Sequence, residues 1–405
     1  MSHPFLSDAA VGFLPSPVRD VWELSMQPGM VSLAGGNPDL RLSDTGWMAE
    51  AAARAITDQG DEVLQYGSGT GFAALREAVV EVMSAEGVSA STDSIQVTAG
   101  SQLALDLITK LLFARGDTIL AEGPTYVGAL GVFGGAGVRV EHVEMDDDGL
   151  QPDALRETID RLAGQGRRPR ALYTIPNFHN PTGVSLAAGR RAEIVDICRA
   201  AGIPIIEDNP YGLLSFGEYD VPSLHSLDPE LVIYLGSFSK ILAPGLRVGW
   251  ACAPTWLRRP LQLASESAVI CASVLSQELA RSFVAGGRWR DTVSAAAAEY
   301  ARRAEALNGT LRPLLPAGAE LTTPAGGFFS WLTLPEGWSS AGLLDHAVDE
   351  QVVFVPGASF YADDDGERQF RLAYSLENPL RLDEGARRLG RALASYGSAL
   401  NVART

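Results

Sequence analysis

Cysteine is scarce in this sequence. Its 405 residues contain three cysteines, Cys198, Cys252 and Cys271, which lie far apart and do not have the spacing of a metal site. Three is also an odd number, so the thiols cannot all pair within one chain. We therefore expect buried free thiols, with neither a disulfide framework nor a bound metal.

Long apolar stretches and an excess of positive charge are also missing. No apolar run approaches the ~18 to 20 residues that a membrane span requires, and Met1 to Asp8 lack the basic and apolar regions of a signal peptide. We therefore expect a cytoplasmic protein with no membrane partner. The formal net charge of −17 would repel a nucleic-acid backbone. The basic residues Arg167, Arg168 and Arg170 are more typical of a solvated connection than of a binding patch.

Apolar residues, by contrast, make up 46% of the sequence, which allows a sizeable interior. Because single cores stop growing near ~250 residues, a chain of this length predicts about two to three domains. Up to Ala253, apolar and β-branched runs alternate with amphipathic stretches such as Gln102 to Ala114 and Arg190 to Ala200. The runs that predict buried strands are Ile95 to Ala99, Thr118 to Glu122, Val138 to Val143, Ala171 to Ile175, Ile203 to Glu207, Val232 to Leu235 and Val248 to Ala253.

This alternation predicts an α/β fold, with a mostly parallel, seven-stranded sheet flanked by helices. After Ala253 the pattern changes to a long helical region, from about Thr255 to Ala304, and then to a shorter α+β section. Its strands are predicted at Glu320 to Thr323, Gly327 to Leu332, Val352 to Val355 and Gln369 to Tyr374. We predict an amino-terminal segment (1–44) that packs on the small domain and the substrate site, a large ligand-binding domain (45–285) and a small carboxyl-terminal α+β domain (286–405).

Ligands of such sheets bind beyond the carboxyl ends of the strands, and the most informative residue, Lys240, lies there. It closes Gly236-Ser-Phe-Ser-Lys240 and is followed seven positions later by Arg247. This arrangement suits a lysine that condenses with an aldehyde beside a held phosphate, as pyridoxal 5'-phosphate requires.

Donors for a phosphate occur at two places. Thr98 to Gln102 end a strand and open a helix, so free amides and the positive end of the helix dipole would face an anion. Ser237, Ser239 and Arg247 could add hydroxyl and guanidinium donors. Each signal alone also fits a simpler interpretation, an ordinary helix start or a surface cation, and both interpretations stay open.

Partners for a pyridine ring follow other strands. A carboxylate at Asp208, after the buried run Ile203 to Ile206, would keep a ring nitrogen protonated and make the ring an electron sink. Asn180 and Tyr211 can donate hydrogen bonds to the oxygen of the ring hydroxyl, and Tyr126 can stack on the ring. Each residue alone also fits a turn or amphipathic packing. Their order at successive strand ends favours a cofactor site.

In these motifs the sequence resembles the fold type I pyridoxal-phosphate-dependent aminotransferases of class I and II, and most of all the α-aminoadipate and kynurenine-type enzymes. The resemblance extends from about Arg19 to the carboxyl terminus. The matching motifs are Tyr66-Gly67-x-Gly69-x-Gly71 with Leu75-Arg76, Thr98-Ala-Gly-Ser-Gln-x-Ala-Leu105-Asp106, Glu122-Gly-Pro-Thr-Tyr126-x-Gly128-Ala129, Pro176-Asn-Phe-His-Asn180-Pro-Thr-Gly183, Glu207-Asp-Asn-Pro-Tyr211, Gly236-Ser-Phe-Ser-Lys240 and Pro244-Gly-x-Arg247-x-Gly249.

The resemblance implies a role for each matching residue. Lys240 binds the cofactor aldehyde covalently and later moves a proton between the substrate α-carbon and the cofactor. Asp208 pairs with the pyridinium, Asn180 and Tyr211 bind the ring hydroxyl, and Tyr126 stacks on the ring. The residues implied to hold the phosphate are Gly100, Ser101, Gln102, Ser237, Ser239 and Arg247, with Tyr66 reaching it from the neighbouring subunit. The resemblance thus also implies a homodimer with shared active sites.

For the substrate, Arg371 matches the arginine that binds the α-carboxylate through two parallel hydrogen bonds, and we expect Asn180 to contact the substrate as well. Gly36 belongs to the substrate-side glycine turn of the family, although the next residue, Asn37, is often apolar in the relatives. Arg19 could meet a distal substrate carboxylate, or it could be a surface cation. His179 is another departure, because relatives usually have glutamine there, and we assign it no role.

Three functional hypotheses remain. The first is an aminotransferase that moves the amino group of an L-α-amino acid, such as 2-aminoadipate or an aromatic or branched-chain donor, to a 2-oxo acid such as 2-oxoglutarate by a ping-pong mechanism. The second is another fold type I reaction, a β-lyase or a decarboxylase, because the same site permits it. The third is a non-catalytic effector module of a regulator. Such regulators need a DNA-binding segment ahead of the fold, and the resemblance begins by about residue 19, so we expect none.

Overall fold

The structure is a computed structural model that describes residue 5 and residues 17–218 and 221–403, without the side chains of residues 17–20 and 403. Over these residues, no helix combines the length and the apolar composition that crossing a bilayer requires. The same residues contain no cluster of His, Cys, Asp or Glu that could hold a metal ion. The three cysteines are free, as predicted, although Cys271 is only half-buried.

The helices and strands alternate along most of the chain. The strands are β1 (Val31–Ser32), β2 (Ile95–Thr98), β3 (Thr118–Gly123), β4 (Arg139–Asp146), β5 (Gly149–Leu150), β6 (Pro169–Thr174), β7 (Ile205–Asp208), β8 (Val232–Ser237), β9 (Gly249–Cys252), β10 (Glu320–Leu321), β11 (Phe329–Thr333), β12 (Val352–Val353), β13 (Val355–Pro356) and β14 (Gln369–Ala373). The helices are α1 (Pro17–Ser25), α2 (Thr45–Val63), α3 (Ala73–Ala85), α4 (Ser101–Leu112), α5 (Val127–Ala136), α6 (Pro152–Gly164), α7 (Ala188–Ala201), α8 (Leu224–Leu227), α9 (Thr255–Val269), α10 (Val274–Ala285), α11 (Trp289–Leu311), α12 (Ser340–Asp349) and α13 (Pro379–Ala403).

The central sheet has the strand order β2-β9-β8-β7-β6-β3-β4-β5. Strands β8, β7, β6, β3 and β4 run parallel, whereas β9 is antiparallel to β2 and β8. The predicted α/β fold and mostly parallel sheet are confirmed, and all seven predicted strands are present. The strand count was wrong, because Gly149–Leu150 adds an eighth strand antiparallel to β4. Two residues are too few to show the period-2 alternation by which a strand is recognised.

The strands of this sheet are apolar runs because both of their faces are covered by helices. Successive residues point to opposite faces: Tyr173 and Ile206 pack with α4, α5 and α9, while Leu172 and Ile205 pack with α6 and α7. Burial on both sides leaves polar side chains only where strands end. Strands β2, β3, β6, β7 and β8 all end at one edge of the sheet, and this edge carries the predicted site.

The carboxyl-terminal part forms a second, antiparallel sheet with the order β10-β11-β14-β13. The predicted long helical region is three helices, α9 to α11, and α11 packs on α13 beside this sheet. The amino-terminal strand β1 pairs in parallel with β12, and Ala373 N donates to Leu33 O at 2.7 Å. The segment that follows β1 therefore lies between the two sheets, above the carboxyl edge of the larger one. The domain boundaries at residues 45 and 285 stay predictions.

Candidate active site

A cleft of about 970 Å³ opens at the carboxyl edge of the large sheet. The structure brings twelve predicted residues together in its wall: Gly36, Ser101, Gln102, Tyr126, Asn180, Asp208, Tyr211, Ser237, Ser239, Lys240, Arg247 and Arg371. The wall also contains residues that the sequence did not indicate, among them Val127 and Phe329. Tyr66 lies outside the cleft wall, and the side chain of Arg19 lies outside the described residues.

One end of the cleft is built to hold an anion. Helix α4 begins at Ser101, so its first N–H groups have no acceptor within the helix. Gly100 precedes it with φ +85°, and a Cβ atom there would lie 2.2 Å from Nη2 of Arg247. Only glycine lets the guanidinium approach the helix start so closely. The hydroxyl of Ser237 donates to that of Ser239 at 2.9 Å, which places two more polar groups at this end.

Gln102 differs from the expected phosphate ligand. Its Nε2 donates to the carbonyl oxygen of Gly128 at 2.8 Å, so the side chain connects α4 with the start of α5. The same glycine supports Tyr126, because a Cβ atom at position 128 would lie 2.4 Å from Cζ of the tyrosine ring. The helix pair α4 and α5 thus fixes the position of Tyr126 in the cleft.

Lys240 lies between the two ends of the cleft. Its Nζ donates to the carbonyl oxygen of Gly36 at 3.2 Å and lies 6.0 Å from the centroid of the Tyr211 ring. Desolvation lowers the pKa of Lys240 to about 8, the positive charges of Arg371 and Arg247 contribute to the decrease, and Asp208 opposes it. The neutral amine is therefore still a minor form at pH 7 but becomes the major form above about pH 8, and it can react as a base or nucleophile.

Asp208 is a buried carboxylate with one engaged and one unengaged oxygen. Its Oδ2 accepts a hydrogen bond from the hydroxyl of Tyr173 at 2.8 Å, whereas Oδ1 has no partner among the described residues. Burial raises the pKa of Asp208 to about 6, against the lowering effects of the Tyr173 hydrogen bond and the Lys240 charge. No sequence pattern indicated Tyr173, because it lies within an apolar strand, where an aromatic residue is interpreted as core packing.

Arg371 is a buried cation without a carboxylate partner in the described structure. Its Nη1 donates to Oδ1 of Asn180 at 3.0 Å, its Nη2 donates to the carbonyl oxygen of Ala34 at 2.7 Å, and its Nε has no acceptor. The guanidinium carbon lies 4.3 Å from the ring centroid of Phe329. Burial lowers the pKa of Arg371 to about 10, so the side chain remains charged near neutral pH. A planar buried cation of this kind suits a carboxylate ligand.

Tyr211 packs edge-on against Phe328 and lies beside Asn180. Burial raises the pKa of Tyr211, and the neighbouring Tyr126 and Asp208 add to the increase, while a hydrogen bond to Asn180 opposes it. The phenol therefore keeps its proton and can act as a hydrogen-bond donor. Tyr211 and Asn180 lie on loops that follow neighbouring strands, which is why the sheet brings them together.

His179, to which we assigned no role, belongs to a buried polar cluster beneath Asn180. Its Nδ1 lies 3.0 Å from the hydroxyl oxygen of Thr182, and its Nε2 lies 3.1 Å from Oε2 of Glu122. Glu122 also accepts hydrogen bonds from the Thr174 hydroxyl at 2.7 Å and from the Ile175 backbone at 2.8 Å. The cluster connects the end of β3 to the loop that carries Asn180.

Tyr66 does not line the cleft. Its side chain is 75% exposed, and the backbone N–H of the following residue, Gly67, donates to Sγ of Cys271 at 3.3 Å. A role in the site of a neighbouring subunit therefore stays a prediction, because it requires a second chain.

The comparisons with known proteins agree with this geometry. The family described as Aminotransferase class I and II matches residues 28–389, and the chain belongs to this family. It is 38% identical over 382 residues to 2-aminoadipate transaminase of Thermus thermophilus, covering 93% of this chain and 94% of that protein. It is 35% identical over 391 residues to aromatic-amino-acid aminotransferase 1 of Thermococcus litoralis, covering 96% and 94%.

A solved structure shows the same fold. The kynurenine aminotransferase of Pyrococcus horikoshii, in complex with PMP, with KYN as substrates and KYA as products, superimposes with a TM-score of 0.92 at 33% identity. The alignment covers 96% of this chain and 97% of that one. The predicted class, a pyridoxal-phosphate-dependent aminotransferase of fold type I, is thereby confirmed, as is the cofactor, pyridoxal 5'-phosphate.

The residues of the cleft suit this cofactor. Oδ1 of Asp208 is a buried acceptor without a partner among the described groups, as a protonated ring nitrogen requires. The close approach of Arg247 to Gly100 at the start of α4 supplies positive potential for a phosphate. Lys240 lies in the same cleft, with a lowered pKa and an Nζ that donates to the backbone carbonyl of Gly36.

Proposed function

We propose that the cleft catalyses amino transfer from an L-α-amino acid to a 2-oxo acid by a ping-pong mechanism, in which the first oxo acid leaves before the second enters. The observation that carries this proposal is the placement of Lys240 between two separate binding ends, the anion end at Gly100 and the buried cation Arg371. A lysine in this position can act on a substrate held by its carboxylate while a phosphate is held at the other end.

The cofactor would be held by residues from five strand ends. Asp208 would accept the ring N–H through Oδ1, Asn180 and Tyr211 would bind the ring hydroxyl, and Tyr126 would stack on the ring. The phosphate would meet Gly100, Ser101, Gln102, Ser237, Ser239 and Arg247, with Gln102 contributing its backbone because its side-chain amide already donates to Gly128. When bound, pyridoxal 5'-phosphate supplies an aldehyde carbon that accepts amino groups and a ring that withdraws electrons from the substrate.

The substrate would lie between Arg371 and Lys240. The guanidinium of Arg371 would bind the α-carboxylate, and its hydrogen bonds to Asn180 and to the Ala34 carbonyl fix its plane. Nζ of Lys240 would then take the proton from the substrate α-carbon, because desolvation and the nearby arginines favour its neutral form. The carbonyl oxygen of Gly36 accepts from Nζ and so orients the amine.

The wall of the cleft favours apolar and aromatic amino donors. This wall contains the apolar or aromatic side chains of Tyr126, Val127 and Phe329. Lys110, a cation of the same wall, is already paired with Asp106 at 2.6 Å. A distal carboxylate, as in 2-aminoadipate, would need another cation, for which we propose Arg19. These donors agree with the names of the two relatives, an aromatic-amino-acid aminotransferase and a 2-aminoadipate transaminase. As the acceptor we propose 2-oxoglutarate.

We further propose a cytoplasmic homodimer. Support comes from exposed apolar side chains near Tyr66: Leu64 is 66% exposed, and Ile270 is 57% exposed next to Cys271, whose sulfur accepts from Gly67 N. Exposed apolar patches of this kind mark association surfaces.

A half-reaction tests the proposed activity. Without an acceptor, the holoenzyme should convert one equivalent of a phenylalanine or 2-aminoadipate donor per site into the matching 2-oxo acid. A β-lyase or decarboxylase would give other products, and a non-catalytic module would bind the amino acid without product. The same half-reaction with Arg19→Ala should slow the conversion of acidic donors only. An equal loss of rate for apolar donors would contradict the role of Arg19.

A further inference from the structure

Asp208 accepts a hydrogen bond from the hydroxyl of Tyr173, a residue of the neighbouring strand. Tyr173 lies in β6, one strand away from β7, and its backbone pairs with that of Ile206, two residues before Asp208. Both side chains are buried, and the hydroxyl lies 2.8 Å from Oδ2. The tyrosine ring packs edge-on against Phe133 of α5, with centroids 5.6 Å apart, so its position is fixed by the core.

This contact makes the two carboxylate oxygens of Asp208 unequal. Oδ2 is held by Tyr173, and Oδ1 is buried without a partner among the described groups. A buried carboxylate oxygen without a donor is costly, so Oδ1 is the oxygen that a ring N–H would satisfy. Because turning the carboxyl group out of its plane would break the Tyr173 hydrogen bond, the hydroxyl fixes this plane and leaves the second oxygen for the ligand.

We propose that Tyr173 is a positioning residue that orients Asp208 toward the cofactor ring nitrogen and stabilises its ionised form. The inference rests on the proposed role of Asp208 itself. Tyr173 would not touch the substrate. It would act through Asp208, in the manner of the outer groups that orient the ligands of a metal site.

Removing the hydroxyl has a defined electrostatic consequence. Tyr173→Phe keeps the ring and its packing on Phe133 but leaves both oxygens of Asp208 without a donor. The pKa of Asp208, already raised by burial, should then rise further, because the Tyr173 hydrogen bond lowers it. The other titratable groups that interact with Asp208 are Lys240, Tyr126 and Tyr211, and they are unchanged in this variant.

The test measures cofactor binding to the apoenzyme across a range of pH. Binding should weaken as pH falls and Asp208 takes up a proton. In Tyr173→Phe this weakening should begin at a higher pH, and the affinity at neutral pH should fall by about tenfold, the order expected for a hydrogen bond to a charged group. Tyr234→Phe is the matched control, because Tyr234 is an equally buried strand tyrosine whose hydroxyl donates to a different carboxylate, Glu86.

The outcomes separate this inference from the proposed role of Asp208. If Tyr173→Phe binds the cofactor with the same pH dependence as Tyr234→Phe, the positioning role of Tyr173 is overturned. If Asp208→Asn binds the cofactor as tightly as the wild type does, the proposed role of Asp208 itself is overturned. In the double variant, Tyr173→Phe should add little to the effect of Asp208→Asn. A full additional loss would show that the Tyr173 hydroxyl acts independently of the Asp208 carboxylate and would also contradict the inference.

Discussion

The side chain of Arg371 donates a hydrogen bond of 3.0 Å to that of Asn180, across the cleft between the two sheets. Arg371 lies in β14 of the small sheet, and Asn180 lies on the loop after β6 of the large one. The contact therefore spans the site and sets the plane of the guanidinium. Because Nε has no acceptor and no carboxylate pairs with Arg371 in the described residues, the cation is available to a substrate.

Arg371→Lys should weaken every α-amino acid substrate. Lysine cannot reproduce the planar pair of N–H groups, and it cannot contact Asn180 and the Ala34 carbonyl together. We expect KM to rise by about ten- to a hundredfold for aromatic and acidic donors alike. Steady-state kinetics with several donors measures this, and unchanged apparent affinity would remove Arg371 from the substrate site.

The amine of Lys240 should titrate near pH 8 in the apoenzyme, because desolvation and the charges of Arg371 and Arg247 lower its pKa to about that value. An amine-selective reagent should therefore modify Lys240 increasingly as pH rises through this range. Mass spectrometry can follow it separately from Lys110, the other lysine of the sequence. In Arg371→Met the midpoint should move upward, since one positive charge is lost. A midpoint that stays unchanged would contradict the electrostatic coupling.

Gly100→Ala should impair the anion end of the cleft. The new methyl group would meet Nη2 of Arg247 at 2.2 Å, and alanine is strained at φ +85°. We expect a displaced guanidinium and about a tenfold or greater loss of cofactor affinity, by analogy with the loss of a charge-assisted hydrogen bond. Gly189→Ala in α7 is the control, because a Cβ atom there meets nothing within 4 Å. Equal cofactor affinity in both variants would exclude the steric argument.

His179→Gln should be tolerated, whereas His179→Leu should not. A glutamine amide can keep a polar N–H group beside Oε2 of Glu122, from which Nε2 of the histidine lies 3.1 Å away without a hydrogen-bond geometry among the described residues. Leucine would remove this polar contact and place an apolar group against the buried carboxylate, at a cost of about 1–3 kcal/mol in the free energy of unfolding. Denaturant unfolding of both variants measures the difference. Equal stability of the two would mean that the cluster around Glu122 does not depend on this contact.

Much of this site could be predicted because it lies where buried strands end. Parallel strands covered on both faces appear in the sequence as continuous apolar runs. Asp208, Asn180 and Lys240 therefore stand out as polar residues within a few positions of the ends of such runs. The family resemblance added Arg371, which lies inside β14. The contact between Lys240 and the Gly36 carbonyl could not be predicted, because it joins distant segments that are brought together by the pairing of β1 with β12.

Other features give no local signal at all. Tyr173 looks like any core aromatic, since its hydroxyl gains a function only from the register of β6 with β7. Strand β5 has two residues and is held by its pairing with β4. The side chain of Gln102 turns toward the Gly128 carbonyl, a contact set by the packing of α4 against α5. Each of these depends on tertiary pairing, which the order of residues does not reveal.

Reductive trapping with borohydride tests most directly whether Lys240 binds the cofactor. Lys110 and Lys240 are the two lysines of the sequence, and Lys110 is an exposed residue paired with Asp106, so peptide mapping can distinguish them. After borohydride treatment of the holoenzyme, the pyridoxyl group should be found on the peptide that contains Lys240, in the wild type and in Lys110→Arg alike. A pyridoxyl group on Lys110, or none on either lysine, would contradict the assignment of this cleft as the active site.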